Sequence, residues 1–470
     1  MRRTDWQAVL KRAEQHAERW FAGLADRPVY ARSDSREVLD RLERPVPEEP
    51  TPPERVIDDL VAAVDSGLTA MPSGRFFGWV IGGGLPSAVA ADWLTTVWDQ
   101  NAGSTEGTPA AAAVEQVALA WTLELLDLPR TASGALVTGA QMANTVCLAA
   151  ARNRVVGALG CDVEAHGLFG APEVHVVVGE ERHQTVDRSL RLLGFGERRL
   201  RVVPADEQGR MRADALGELL SGLEPPVIIC AQAGNVSTGA LDPMAPIADA
   251  VDRLRTRSPA GAVWLHVDGA FGLWARASAR TRELAAGIER ADSWATDAHK
   301  WLNTPYDCGI ALIAPAHREA HRHAMAIRAA YLPEESDHGI RSPLDWTPEL
   351  SRRARGFALY AALCELGRRG VEDLVDRCCA MARRFAEQLA REPRVSILND
   401  VVLNQVLVRF GDDAHTRDVV RRVRDDRTCF VSGTVWHGVE AMRISVSNAF
   451  TDEADVDASV AAMIRAHSTR

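Results

Sequence analysis

An α/β fold on a mostly parallel sheet, with a helical segment before it and a small α+β domain after it, is what this sequence predicts. Three observations lead there. Between about residues 85 and 315, short apolar runs of strand length alternate with helical patterns, as in a parallel sheet covered on both faces. From about 350 the pattern changes to one long helix, then strands and helices in a mixed order. The longest apolar stretches, 174–178 and 227–230, are far shorter than the roughly 18 residues of a membrane span and read as buried strands.

Taken in order, residues 5–26 have the spacing of an amphipathic helix, and the proline-rich stretch 45–53 is an extended linker because proline fixes φ and removes backbone donors. A second helix is expected at 54–66. Segment 74–86 (GRFFGWVIGGGLP) is dense in glycine and aromatics, which suits tight backbone beside apolar walls; it serves equally as an interdomain turn. Strands are expected at 174–178, 199–203, 227–232, 262–267, 292–296 and 308–313, with helices at 142–156, 184–193, 212–221 and 244–256. Beyond the long helix, which runs through 381, strands are expected near 395–409 and 430–447, with helices at 415–426 and 452–466. A chain of 470 residues can hold more than one core, and we divide it into a helical segment 1–84, a large domain 85–350 and a small domain 351–470.

Composition narrows the function. With 46% hydrophobic and 25% charged residues the chain is globular rather than disordered. A net charge of −10 offers no basic field for nucleic acid or anionic lipid, so neither nucleic acid nor membrane is an expected partner. Met1-Arg2-Arg3 runs into Thr4-Asp5-Trp6 rather than an apolar run, so no secretory leader is expected. The eight cysteines form no CxxC pair and fall in apolar elements, which suits reduced thiols in the cytoplasm and no metal site. Of 54 lysines and arginines only Lys11 and Lys300 are lysine, so any chemistry needing a primary side-chain amine has two candidates.

Ligands of open parallel sheets sit beyond the carboxyl ends of the strands. The strand at 262–267 is followed by Asp268, and the one at 292–296 by Asp297-Ala298-His299-Lys300. An acidic residue at a strand end can also be a helix cap or a metal ligand. Lys11 belongs to an exposed helix, whereas Lys300 is bracketed by residues of buried type. A lysine and an aspartate converging on the rim of such a sheet suggest pyridoxal 5′-phosphate: the amine condenses with the cofactor aldehyde, and the carboxylate keeps the pyridine nitrogen protonated. His183, at the start of a helix after strand 174–178, can stack on the ring. The run Gly139-Ala140-Gln141-Met142-Ala143-Asn144 opens a helix whose free N–H groups suit a phosphate, without the P-loop pattern.

The ordered set GAQMAN, ERHQTVDRS, AGNVSTGALDP, WLHVDGAFG, DAHKWLNTPYDCG and MRISVSN resembles the group II amino-acid decarboxylases, pyridoxal-phosphate enzymes of the aspartate aminotransferase-like fold type I that include aromatic L-amino-acid decarboxylase. It spans nearly the whole chain. The resemblance implies that 85–350 is the cofactor-binding domain, Lys300 the Schiff-base lysine, Asp268 the pyridine partner, His183 the stacking ring and Ala270 its opposite face. Ala140, Gln141 and His299 match phosphate-contacting positions. Where the family has a small hydroxyl residue this chain has Val236, for which Asn235 or Ser237 substitutes. Phe76, Phe77 and Trp79 match the substrate-pocket wall, Arg443 an arginine near the substrate carboxylate or cofactor, and Trp98–Asn101 a segment reaching the partner site of a homodimer.

One departure stands out. The family's mobile loop carries a tyrosine that acts near the substrate α-carbon; the matching stretch 334–346 has none, the nearest being Tyr331, and His338 is the candidate replacement acid. In related plant and insect enzymes loss of that tyrosine accompanies aldehyde formation. The expected function is thus decarboxylation of an aromatic or apolar L-amino acid to the amine and CO₂. The alternatives are oxygen-dependent decarboxylation with oxidative deamination to an aldehyde, transamination, or cofactor binding without turnover.

Overall fold

The computed structural model describes residues 6–327 and 339–469. Its larger sheet contains β1 (Ser133–Val137), β2 (His175–Gly179), β3 (Arg201–Val203), β4 (Val227–Gln232), β5 (Val263–Asp268), β6 (Ser293–Asp297) and β7 (Gly309–Ile313) in the order β1-β7-β6-β5-β4-β2-β3. Only β7 runs against the others, so the sheet is mostly parallel and mixed as expected.

Period two explains the layers. Val176, Val178, Ile228, Cys230 and Trp264 share one buried cluster with Val146, Leu148 and Val155 of the helix Ala140–Gly157. Their neighbours Val177, Ile229, Leu265 and Val267 join Ile247, Val251 and Leu254 of the helix Met244–Thr256 on the opposite face. Continuous apolar strands are therefore two interleaved half-strands, each feeding its own core.

The second sheet is antiparallel, order β10-β11-β9-β8, from β8 (Val395–Ile397), β9 (Gln405–Phe410), β10 (Ser432–Trp436) and β11 (Val439–Ser445). The helix Gly356–Leu389 packs on helices Pro86–Trp98 and Pro109–Leu125 and also on β8, β9 and the helix Glu453–Ser468, so one element serves both halves of the molecule.

Among the elements not assigned from sequence are two helices and the edge strand β1 of the larger sheet. Helices Pro86–Trp98 and Pro109–Leu125 are rich in alanine and apolar residues around much of their circumference, which blurs the 3.6-residue contrast. Strand β1 is a short run whose role is fixed only by pairing with β7 far along the chain. At the other end, helices Trp6–Ala22, Ser35–Leu42 and Pro53–Val64 form as expected where assigned, yet none has a buried residue.

His321 shows how a polar side chain is accommodated in this interior. It is fully buried; its Nδ1 lies 2.9 Å from Ser133 Oγ and its Nε2 donates to the Trp346 carbonyl at 3.0 Å. Burial lowers its pKa to about 3, so the ring is neutral. The unfolded chain takes up a proton near pH 6.5 that the folded state refuses until about 3, hence stability falls as pH drops through that window. Urea unfolding at pH 7 and pH 5 should show a loss smaller by about 2 kcal/mol in His321→Gln than in the unaltered protein. Equal losses would refute a neutral buried His321.

Candidate active site

Register brings the carboxyl ends of the parallel strands to one level: Gln232 of β4 pairs with Asp268 of β5, and Asp268 with Ala295 of β6. Asp268 is buried. Its Oδ1 accepts the Ala270 N–H at 3.2 Å and its Oδ2 accepts from Asn144 Nδ2 at 3.1 Å, both neutral donors. Burial raises the Asp268 carboxyl above the usual carboxylate range, while the charges of His183 and Lys300 pull it back down.

Lys300 follows β6 by three residues, and its Nζ lies 3.1 Å from Asp297 Oδ2. The other Asp297 oxygen accepts the Ala140 N–H at 2.6 Å. One carboxylate thus ties the amine to the start of the helix Ala140–Gly157, a role the sequence reading did not give it although it stands at a strand end. His299 is held between Cys308, whose N–H donates to Nδ1 at 3.0 Å, and Tyr306, stacked on it at 4.2 Å. Desolvation lowers the His299 pKa, with Asp297 opposing.

His183 caps the helix Gln184–Leu192, its Nδ1 accepting the Thr185 N–H at 3.3 Å. Its own N–H donates to Gln232 Oε1 at 3.1 Å, and the Gln232 N–H in turn donates to the buried Asp242 carboxylate at 2.7 Å. The ring opens onto a cavity of about 630 Å³ also lined by Arg188, Asn235, Val236 and Ser237. Although part of its surface meets this cavity, desolvation lowers its pKa, with Asp268 opposing.

Several expected contacts look different in three dimensions. The Ala140 N–H is used by Asp297, so among the residues at this helix start it is not a free phosphate donor. Gln141 Oε1 accepts from Arg188 at 3.3 Å. Asn235 Oδ1 accepts the N–H groups of Ser237 and Thr238 and its Nδ2 donates to the Glu181 carbonyl, which leaves one amide hydrogen for anything else. Ala270 lies two residues past the β5 end, its carbonyl accepting the Asp297 N–H at 2.9 Å. Phe77 is fully buried, edge-on to Phe385 at 4.9 Å, and packs in the main core. Phe76 is likewise buried, stacked on Phe430. Trp79 is the aromatic of this segment that remains half-exposed, at 51%, its ring 4.9 Å from Phe430. Arg443, on β11, is mostly buried; its Nε has no hydrogen-bond partner among the described residues, and its charge is felt at His183. His338 and Tyr331 lie outside the described residues.

The glycine-rich segment has a steric purpose. A Cβ at Gly82 would overlap the Lys300 carbonyl oxygen, backbone against backbone, so the segment approaches the lysine loop only because residue 82 has no side chain. Gly82→Ala is expected to cost at least about 1–3 kcal/mol of stability. Gly157→Ala, in a helix with open space around the new methyl, should be neutral or stabilising. Thermal unfolding of the two variants checks the contrast, and an unperturbed Gly82→Ala would disprove the close approach.

Comparison with known proteins bears on this constellation. The family model described as the pyridoxal-dependent decarboxylase conserved domain matches residues 36–410. The chain is 25% identical to tryptophan decarboxylase 1 of Oryza sativa subsp. japonica, covering 96% of this chain and 91% of that protein. It is 23% identical to phenylacetaldehyde synthase of Arabidopsis thaliana, covering 93% and 90%. Among solved structures, that of Oryza sativa TDC with PLP and tryptamine superposes with a TM-score of 0.89 at 23% identity over 99% of this chain and 98% of the other, which shows a shared fold.

Proposed function

The chain belongs to the pyridoxal-dependent decarboxylase family, a carboxy-lyase with pyridoxal 5′-phosphate as cofactor, and from that premise we propose that it decarboxylates an aromatic or apolar L-amino acid to the amine, as a cytoplasmic homodimer. The observation that carries the reading is the convergence of one lysine amine, one buried carboxylate and one imidazole at the ends of β6, β5 and β2.

The residues present fit the cofactor. Asp268 has only neutral hydrogen-bond donors on its two oxygens, which suits a cationic ring N–H as its charge partner. The Arg443 Nε is a buried donor without a partner among the described residues. When bound, pyridoxal 5′-phosphate supplies an aldehyde for a primary amine and a ring that accepts the electron pair released with CO₂. Lys300 is the amine, oriented by Asp297. Asp268 would hold the ring nitrogen protonated, and Ala270 and His183 would flank the ring, His183 being fixed through Gln232. Gln141, His299 and the remaining amide hydrogen of Asn235, beside the Ala140 turn, would hold the phosphate end. Trp79 and Arg443 contact substrate, Arg443 without clamping the departing carboxylate, since a guanidinium held tightly there would stabilise the ground state and oppose its loss. His338, in the loop matching the family's tyrosine, would be the proton donor toward the substrate α-carbon.

The dimer is supported by unsheltered apolar side chains. Trp6, Leu10 and Phe21 on the first helix and Trp93, Leu94, Val97 and Trp98 on the helix Pro86–Trp98 are all exposed in the single chain. All eight cysteines are unpaired, which supports a reducing compartment. No helix among the described residues is long and apolar enough to cross a membrane.

A second reading, oxygen-dependent conversion to an aldehyde, is favoured by one observation: stretch 334–346 lacks a tyrosine. Incubating the holoenzyme with a panel of amino acids, in air and without oxygen, distinguishes the two. Amine and CO₂ without oxygen uptake support decarboxylation. Aldehyde, ammonia and peroxide, formed only with oxygen, support the second reading; no product from any amino acid overturns both.

A further inference from the structure

Behind Asp268 lies a chain of fully buried polar side chains that the reaction does not touch. Trp264 Nε1 lies 2.9 Å from Ser293 Oγ; Ser293 Oγ lies 2.8 Å from His266 Nδ1; His266 Nε2 lies 2.9 Å from Asn144 Oδ1; and Asn144 Nδ2 lies 3.1 Å from Asp268 Oδ2. All four of these supporting residues have essentially no exposed surface. Its two ends fix its direction. An indole N–H only donates, so Ser293 Oγ accepts from Trp264; at the other end the carboxylate takes the Asn144 N–H, which turns the Asn144 carbonyl toward His266 Nε2, so Nδ1 is the acceptor of the Ser293 hydroxyl hydrogen. That leaves the His266 hydrogen on Nε2, where it donates to the Asn144 carbonyl. The Asn144 amide therefore faces the carboxylate with its N–H, and a flipped amide would oppose oxygen to oxygen at Asp268 and N–H to N–H at His266.

We propose that His266, its Nδ1 held by the Ser293 hydroxyl and its Nε2 hydrogen given to the Asn144 carbonyl, is a positioning residue that locks Asn144 as a donor to Asp268 and so keeps Asp268 in the charged form that binds the cofactor ring; this rests on the reading of Asp268 given above. Burial supports the neutral state the chain requires, lowering the His266 pKa to about 3. Chain direction makes a distinctive prediction: the influence of His266 passes entirely through Asn144.

The experiment is a double-mutant cycle read by cofactor affinity. Apoprotein of the full chain, with folding checked by thermal unfolding, is titrated with pyridoxal 5′-phosphate and followed by absorbance for the unaltered protein, His266→Leu, Asn144→Leu and the double variant. His266→Leu is expected to raise the dissociation constant by roughly 10- to 100-fold, the scale of one hydrogen bond to a charged group. The double variant should be no weaker than Asn144→Leu alone. His266→Gln, which can still donate from one end and accept at the other, should recover most of the affinity. Effects of His266→Leu and Asn144→Leu that simply add, or a Gln variant as weak as Leu, overturn the relay. Asp268→Asn in the same titration separates the two ideas: if it binds the cofactor normally, the reading of Asp268 fails, whereas if it binds weakly and His266→Leu binds normally, only the relay fails. If His266→Leu proves unfolded, Ser293→Ala, which removes the group that sets the tautomer, is expected to weaken binding at least about threefold, and unchanged binding overturns the proposal.

Discussion

Lys300→Ala should leave a folded protein that no longer shows the visible absorbance of a lysine-linked cofactor and turns over substrate slower by roughly 10⁴-fold or more, a loss of at least about 5 kcal/mol of transition-state stabilisation. The chain has one other lysine, Lys11, on a helix without a buried residue, so no second amine stands ready. Lys300→Arg should be as inactive as the alanine variant, because a guanidinium keeps its charge without the nucleophilic lone pair of a free amine. That pairing distinguishes covalent chemistry from electrostatics: if positive charge beside Asp297 were the requirement, arginine would restore activity. An alanine variant that kept the absorbance would remove Lys300 from the site. Lys11→Arg, by the same reasoning, should be indistinguishable from the unaltered protein in absorbance and rate.

Asp268→Asn is expected to produce the second largest loss, roughly 10²–10³-fold in kcat, the scale found when one electrostatic contact to a developing charge is removed. The substitution keeps shape and burial and deletes the negative charge, so the pyridine nitrogen loses the partner that holds its proton. It also relieves the protein: burial raises the Asp268 pKa, which means the folded state works against that charge when no cation lies next to it. The variant apoprotein should therefore lose little stability near pH 7, the relieved charge offsetting the one N–H donor that the new amide NH2 faces. The sign follows from linkage: a carboxyl with a raised folded pKa holds a proton that the unfolded chain has released, so it lowers stability as pH rises above the unfolded value. Loss of activity with little loss of stability is the outcome expected, measured by steady-state kinetics and thermal unfolding of the same preparations. A variant equally impaired in both would mean that Asp268 is mainly structural.

How far the sequence went can be judged on particular residues. The strands that end at Asp268 and near Lys300 were legible because short runs dominated by apolar residues, such as 262–265 with Val267, leave little choice for a segment of that length, and parallel strands of similar length end together. His183 was legible by the same geometry, as the first polar ring after β2. The burial of Phe76 and Phe77 was not, since a motif does not say whether an aromatic turns inward; contacts with Phe430 and Phe385, each more than 300 residues away, decide it. Asn235 read as a binding group because it stands in the right loop, yet the N–H groups two and three residues on take its carbonyl. Asp297 was written in the sequence at a strand end but overlooked beside the lysine it orients.

The sequence by itself determined the layered α/β architecture and singled out Lys300, Asp268 and His183 as the candidate reactive trio, because hydrophobic period and strand ends are local properties of the chain. Only the tertiary structure decided what supports that trio: Gly82 against the Lys300 carbonyl, Asp297 bridging to Ala140, and the run from Trp264 through Ser293, His266 and Asn144 to Asp268. The physical reason is range. A hydrogen-bond partner 122 residues away, as Asn144 is from His266, is chosen by strand register and helix docking, and neither leaves a mark on the residues between.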